Sequence, residues 1–331
     1  MPCSIRCTEF IIKDKRTMNA CKNEGEGLNR HILLIVTYNR SAMLAECIRA
    51  AKQQSVPYSK IVIVDNASTD GTASVLKPYK ADPQILILRE KHNVGGAGGF
   101  ADGLREVLKL EADWITLIDD DAILSPDFLK VISQGIQEWK GKAQAFAGVP
   151  LTNGLRIGHR RRLTGRLVVR EVPVPAEEYR EKYFCCQIAS FCGLVLSMDL
   201  IRRIGLPIRE YFIWYDDTEY CLRIRPFSPI VNCNEAVIDH RAAAANTSYT
   251  IGWKEYYGIR NRIDMCRRQY GKATAYYVAF RKLGKGLLQS GRALVREGFP
   301  AGRKNWHIYR DGIRDGLRGR LGLRSPYLPG K

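Results

Sequence analysis

No stretch of this 331-residue sequence approaches 18 consecutive apolar residues, which excludes a membrane-spanning helix. Internal repeats and low-complexity tracts are also missing. With 45% hydrophobic and 26% charged residues, that excludes a repeat array, a collagen-like rod and wholesale disorder. Residues 1–30 hold no apolar run of signal length, so no signal peptide is expected. The ten cysteines sit mostly within apolar segments, and the expected compartment is a reducing cytoplasm. No second close pair joins Cys3, Cys7 and Cys21 in a four-ligand set, so zinc is not expected there. Acidic residues are scarce: 34 against 52 basic ones, a net charge of +18. Residues 251–331 hold 19 of the basic and 5 of the acidic residues, so the excess is a C-terminal property. Such a tail fits nucleic acid, an anionic lipid surface or a phosphorylated substrate.

From His31 onward the patterning alternates. Ile32–Thr37 and Ile61–Val64 are continuous apolar runs, and Ala42–Gln53 and Thr72–Tyr79 have helical spacing. Ile85–Leu88 predicts a third strand, Gly99–Leu110 a helix, and Trp114–Ile118 a fourth strand ending at Asp119. This βα alternation predicts an α/β fold, a Rossmann-like mostly parallel sheet flanked by helices, with ligands beyond the carboxyl ends of its strands. After about residue 150 the alternation stops, and Arg156, Arg160, Arg161, Arg162 and Arg166 suggest an inserted, solvated loop or hairpin. Beyond His240 the chain turns helical, aromatic and basic. The expected divisions are an extension over 1–30, an α/β half over 31–150, a second half over 151–245 and a basic helical region over 246–331.

Three motifs follow successive strands: Thr37-Tyr38-Asn39-Arg40, Val64-Asp65-Asn66-Ala67-Ser68-Thr69-Asp70-Gly71, and Asn93-Val94-Gly95-Gly96-Ala97-Gly98-Gly99. Each is also what a tight turn wants, since Asn, Asp, Ser and Gly favour turn dihedrals. At strand ends, however, a carboxylate and an amide can read a nucleobase, and glycine backbone can approach phosphate closely. Asp119, Asp120 and Asp121 repel one another at the end of a buried strand unless a cation neutralises them. Acids so placed can bind a divalent ion that bridges a diphosphate, although a solvated turn capping a helix over Pro126–Ile132 uses the same residues. Gly96-x-Gly98-x-x-Ala101 fits a dinucleotide fingerprint and makes an NAD-dependent oxidoreductase a rival.

With the later Asp216-Asp217-x-Glu219-Tyr220 and His240, these motifs resemble the family 2 inverting glycosyltransferases of the GT-A fold over residues 31 to about 265. The glycine string, the acid triplet and Tyr256-Tyr257-x-x-Arg260-Asn261 look most like galactofuranosyl- and rhamnosyltransferases of bacterial surface polysaccharides. The resemblance implies that Thr37, Tyr38, Asn39, Arg40, Asp65 and Asn66 hold the nucleobase and ribose of a nucleotide-sugar donor. It implies that Asn93, Gly95, Gly96, Asp119 and Asp120 line the rest of the donor site. Asp119, Asp121 and His240 would hold Mn²⁺ or Mg²⁺, imidazole suiting Mn²⁺ better. His240 also has a bland reading as a surface residue between Asp239 and Arg241. Asp217 would be the general base, preferred to Asp216 by its place in the motif alone, with Glu219 and Arg223 structural. Where the family usually has tryptophan before the acid pair, this chain has Tyr215, with Trp214 one place earlier. The donor implied is UDP-galactofuranose, with dTDP-rhamnose as the alternative, and the acceptor a polyprenyl-diphosphate-linked or growing oligosaccharide. No nucleic-acid recognition motif accompanies the basic tail, so the expected partner is an anionic membrane surface, with the protein peripheral on the inner face of the cell membrane.

Overall fold

The structure is a computed structural model and describes residues 30–156, 158–164, 170–241 and 251–329. Nearly all of the expected N-terminal extension, with Cys3, Cys7 and Cys21, and Arg166 of the insert lie outside the described residues. The described chain falls into two compact units interleaved along the sequence. One comprises 30–93, 103–206 and 221–241, the other 94–102, 207–220 and 251–329.

The first unit is built on β1 (His31–Thr37), α1 (Ser41–Lys52), β2 (Lys60–Asp65), α2 (Thr72–Leu76) and β3 (Ile85–Arg89). Then come α3 (Gly95–Val107), shared between the units, β4 (Trp114–Asp119), β5 (Ala122–Leu124), α4 (Phe128–Glu138) and β6 (Ala145–Leu151). All seven residues of β1 are buried, as an apolar run covered on both faces must be. In α1 the buried residues are Leu44, Cys47, Ile48 and Ala51, the spacing of one helical face. The sequence pattern placed β1, α1, β2, β3 and β4 to within a residue or two. Helix α3 starts four residues earlier than expected, because the glycine string is itself helical, and ends three earlier, while α2 ends three residues before the expected Tyr79 and α4 runs six past the expected Ile132. Strands β5 and β6 had no counterpart in the sequence pattern.

The chain continues through β7 (Arg160–Thr164), β8 (Arg170–Pro173), β9 (Tyr183–Cys186), β10 (Ile188–Ala189) and β11 (Leu194–Ser197). It proceeds into α5 (Met198–Ile204), α6 (Asp216–Ile224) and β12 (Ile230–His240). Among the described residues the main sheet has nine strands, in the order β3-β2-β1-β4-β11-β6-β12-β5, with β9 also on β12. Pairing is parallel from β3 through β4 and between β6 and β12, and antiparallel elsewhere. Strand β12 sets the site, because its register places His240 opposite Ala122, the residue after Asp121.

The arginine-rich insert is a hairpin, since β7 pairs antiparallel with β8 and with β10, and Arg156 is exposed, but Arg160, Arg161 and Arg162 are not solvated as expected. Arg160 is fully buried. Its guanidinium donates to the carbonyls of Gly148, Cys192 and His159 and to Oδ1 of Asn232. Arg161 and Arg162 pair with Glu171 and Glu178. Carbonyl oxygens clustered in the core supply what the sequence pattern could not display.

The second unit is mainly α7 (Trp253–Tyr270), α8 (Lys272–Glu297) and α9 (Phe299–Arg318), each boundary being one glycine, Gly271 (φ 89°) or Gly298 (φ 90°). That backbone region favours glycine, so these two residues divide the helical tail. Much of its charge is paired internally: Arg267 and Arg268 on Asp264, Arg310, Arg314 and Arg324 on Asp311 and Asp315, and Lys282 on Glu255. No helix among the described residues is long and apolar enough to cross a membrane.

Arg160→Ala strips three carbonyls and an amide of their donor and opens a cavity, and should cost about 3–5 kcal/mol. Urea unfolding against wild type measures the loss, and an unchanged midpoint rejects the structural role of this buried cation.

Candidate active site

At the end of β4 the chain turns at Asp120 and Asp121, so the three acids do not alternate as they would on a strand. Asp120 and Asp121 are buried. The cation that relieves their repulsion is Arg40, whose Nη1 lies 3.1 Å from Asp120 Oδ1 and 2.5 Å from Asp121 Oδ2. Thr37 Oγ1 donates to Asp120 Oδ2 at 2.6 Å. Burial nonetheless pushes the Asp120 carboxyl above its ordinary value, against Thr37 and Arg40. Asp120 is thus held from two sides, by residues that the resemblance assigned to the nucleoside.

Among the described residues Asp121 keeps one oxygen, Oδ1, buried and without a hydrogen-bond partner. His240 Nε2 lies 3.5 Å from that oxygen. The other ring nitrogen, Nδ1, is 3.0 Å from Thr152 Oγ1, and His159 packs edge-on against the ring at 5.0 Å. Burial pushes the His159 imidazole down to about 3, so it stands there uncharged. His240 is therefore half-buried and fixed from behind, not a surface residue. Thr152 escaped the sequence reading because nothing in its local pattern connects it with a strand end 88 residues away.

An orphaned carboxylate oxygen facing an imidazole nitrogen fits a divalent cation that takes its remaining ligands from a diphosphate and water. Asp121 and His240 would hold such an ion. Among the described residues no group of three or more His, Cys, Asp or Glu side chains is gathered for one.

The loops after β1 and β2 are knitted together. Asp65 Oδ1 accepts from Ser68 N at 2.8 Å, and Asp65 Oδ2 lies 3.7 Å from Arg89 Nε. Asn39, at φ 52°, accepts from Thr69 N and donates its own N–H to Ser68 Oγ. Asn66 is buried, with its N–H on the Thr37 carbonyl, while Tyr38 is exposed beside it. The motif is therefore both a hydrogen-bonded turn and a strand-end loop, the two readings the sequence left open. Asn93 is half-buried and closes its segment of the first unit. Gly98 and Ala101 lie inside α3 and not in a turn between strand and helix, so the dinucleotide fingerprint has no phosphate-binding loop here.

Asp217 belongs to the second unit. Asp216 and Asp217 open α6, and Asp217 Oδ1 accepts from Thr218 N at 2.5 Å and Thr218 Oγ1 at 3.0 Å. Asp216 retains some exposed surface, but protein atoms crowd its carboxyl. That crowding first, then the charge of Asp217, pushes it well above the usual carboxylate range. Glu219 accepts from Gln269 Nε2, and Arg223 donates to the carbonyls of Ile204 and Leu206.

The turn before the pair is strained. Phe212, Trp214 and Tyr215 have φ of 66°, 65° and 67°, which costs bulky residues about 1–3 kcal/mol each. Gly95 and Gly258 make room for it. A Cβ on Gly95 would stand 2.0 Å from the Phe212 carbonyl oxygen, and one on Gly258 would stand 2.7 Å from the Trp214 ring. Gly95 is thus a packing glycine, whereas Gly96 faces open space. Arg260 and Asn261 on α7 hydrogen-bond the carbonyls of this turn, a contact for which the sequence gave only a motif.

Known proteins resemble this chain in sequence and in fold. Galactofuranosyltransferase GlfT1 of Mycolicibacterium smegmatis is 27% identical over 214 residues, 62% of this chain and 69% of that protein. The dTDP-rhamnosyl transferase RfbF of Shigella flexneri is 26% identical over 274 residues, 79% of this chain and 83% of that protein. A crystal structure of GalNAc-T7 with UDP, GalNAc and Mn²⁺ superposes with a TM-score of 0.61 at 12% identity, over 90% of this chain and 59% of that one. Staphylococcus aureus TarS 1-349 in complex with UDP-GlcNAc gives 0.55 at 13% identity, over 87% and 81%. These likenesses bear out the GT-A fold expected from the sequence. The sequence profile of glycosyl transferase family 2 matches residues 32–204, from β1 to the end of α5, and with more than half its length inside that profile the chain belongs to this family of glycosyltransferases.

Proposed function

We propose that the chain is a metal-dependent inverting transferase that moves galactofuranose from UDP-galactofuranose to a polyprenyl-diphosphate-linked or growing polysaccharide acceptor. The observation that carries this reading is the buried Asp121 Oδ1, without a hydrogen-bond partner among the described residues, facing His240 Nε2 at the end of β4. A divalent cation held there, Mn²⁺ or Mg²⁺, supplies positive charge to a diphosphate leaving group. Tyr38, Asn39, Asp65 and Asn66 frame the nucleoside, and Arg40 and Thr37 hold Asp120. Asp217 accepts the proton of the acceptor hydroxyl as its oxygen attacks the anomeric carbon opposite the departing nucleotide. The GlfT1 likeness supports the galactofuranosyl donor. A dTDP-rhamnose donor is the second reading, supported by the longer likeness to RfbF. UDP or dTDP release from the two sugar nucleotides separates them.

The tail contributes a surface. On α8 the small residues Ala275, Ala279, Gly286 and Ala293 are buried, while Tyr276, Phe280, Leu283, Leu287 and Leu294 recur at helical spacing on an exposed face. Exposed Arg281, Lys285, Arg292 and Arg296 flank that stripe. An apolar stripe beside a basic one suits an anionic lipid surface on the cytoplasmic side, where a polyprenyl-linked acceptor resides.

Asp121→Ala and His240→Ala should each weaken Mn²⁺-dependent UDP binding by about tenfold or more, since second-shell losses alone reach that size and these are direct ligands. Calorimetric titration decides it, and unchanged affinity and metal dependence in both variants removes the site.

Asp217→Asn should abolish transfer with UDP binding intact, because an amide keeps the shape and takes no proton, and Asp216→Asn should be milder. Wild-type turnover of the Asp217 variant, or an absolute need for Asp216 alone, overturns the choice of base.

Replacing Arg281, Lys285, Arg292 and Arg296 with glutamine should release the protein from vesicles of phosphatidylglycerol at physiological salt, where screening acts within about 8 Å. Co-sedimentation measures this. Wild-type protein that ignores the vesicles and binds single-stranded nucleic acid with a steep salt slope fits a different partner.

A further inference from the structure

We propose that Asn261 is a positioning residue for the Asp216–Asp217 pair, its one side-chain amide holding the strained aromatic turn from which the pair projects. The inference rests on the reading of Asp217 as the base.

Asn261 is fully buried, and its Nδ2 donates at 2.9 Å to the carbonyls of Tyr211, Ile213 and Trp214. Two hydrogens serve three acceptors, so one is shared. Its Oδ1 accepts from Arg260 Nε at 2.9 Å, which fixes the orientation of the amide. Arg260, also fully buried, carries its guanidinium on to the carbonyls of Glu210, Tyr211 and Gly322 and lies over the rings of Tyr256 and Tyr257. Every turn carbonyl named here therefore converges on two adjacent side chains of α7.

What those side chains hold is a conformation the turn's own residues resist. Phe212, Trp214 and Tyr215 occupy the left-handed region, where glycine would sit without strain. Tyr215 immediately precedes the acid pair, and its carbonyl accepts the N–H of Glu219, the first helical bond across the pair. The direction in which Asp216 and Asp217 leave the turn is thus set by the dihedrals of Trp214 and Tyr215, and those are set by Asn261. Trp214 keeps 40% of its surface exposed although its ring packs on Gly258, and a turn made only for the core would bury that ring.

Asn261→Ala removes the donor, and Asn261→Asp points an oxygen at three carbonyl oxygens. Both should lower kcat about 100-fold, the size of a displaced general base, with the KM for the donor and calorimetric UDP affinity within about twofold of wild type. The assay is nucleotide release from UDP-galactofuranose, or from dTDP-rhamnose if that is the donor turned over, with a polyprenyl-diphosphate-linked acceptor. A second measurement needs no donor: carboxyl carbon resonances of labelled aspartates, with Asp216 assigned by Asp216→Asn. Asp216 titrates above the usual carboxylate range in wild type and should fall toward it in both variants as the turn opens to water. Tyr215→Gly on the Asn261→Ala background should recover activity at least about tenfold, because glycine adopts φ near 67° unaided. Wild-type kcat with an unshifted Asp216 titration overturns the proposal. So does a parallel loss of UDP affinity, kcat and helical signal, which marks a residue needed only for folding. If Asp217→Asn, run alongside, keeps full turnover, the base assignment falls and takes this inference with it, whereas normal turnover in the Asn261 variants beside an inactive Asp217→Asn rejects the positioning role alone.

Discussion

Three consecutive carboxylates at the end of a buried strand are stable only where positive charge and hydrogen-bond donors meet them, and the first unit is arranged around that requirement. Arg40 reaches both Asp120 and Asp121 from the loop after β1, and Thr37 closes on Asp120 from the last residue of the same strand. The β1–β4 register, which sets Val36 opposite Asp119, fixes the distance over which this happens. Among the described residues Asp121 Oδ1 is left without a hydrogen-bond partner, and it is there that β12 delivers His240. A fully neutralised acid turn would have no affinity left for a cation. One wholly unneutralised would not stay folded.

The second unit solves a different problem, that of holding large aromatic residues in backbone conformations they disfavour. Gly95 and Gly258 give up their own side chains so that Phe212 and Trp214 can stand where they do. Strain of this kind persists only when surrounding contacts over-determine it. Here they come from a long helix anchored by its own ion pairs, such as Arg267 and Arg268 on Asp264, which also accepts from Tyr211 Oη. A basic tail that looks in sequence like a solvated extension is in large part scaffold.

The sheet was legible because continuous apolar runs such as Ile32–Thr37 have few other uses in a chain with regular turn signals between them. The acid turn and His240 were legible only as family motifs, since no local pattern says that residues 121 and 240 meet; a strand register does. Arg160 defeated the reading altogether. A cluster of arginines reads as solvated, and the carbonyls that bury this one belong to Gly148 and Cys192, residues whose side chains carry no trace of the contact. The glycine string reads two ways for a related reason: a Cβ on Gly95 would meet the Phe212 backbone, a tertiary fact that resembles a phosphate loop in sequence. Thr152 was silent because a hydroxyl occurs everywhere on protein surfaces, and Asn261 was visible only as part of a family motif.

The place of β5 in the sheet has a temporal consequence. Among the described residues it stands at the sheet's end and pairs with β12 alone. During synthesis, β1 to β4 can pair as they leave the ribosome, but β5 packs on α1 and has no strand partner until Ile230–His240 has been made, more than a hundred residues later. Long-range closures of this kind come late in folding because the loop must be brought together before its contacts repay it. The nascent chain therefore carries its acid turn with the far side open to water. The site acquires its imidazole in the same event that seals the edge of the sheet.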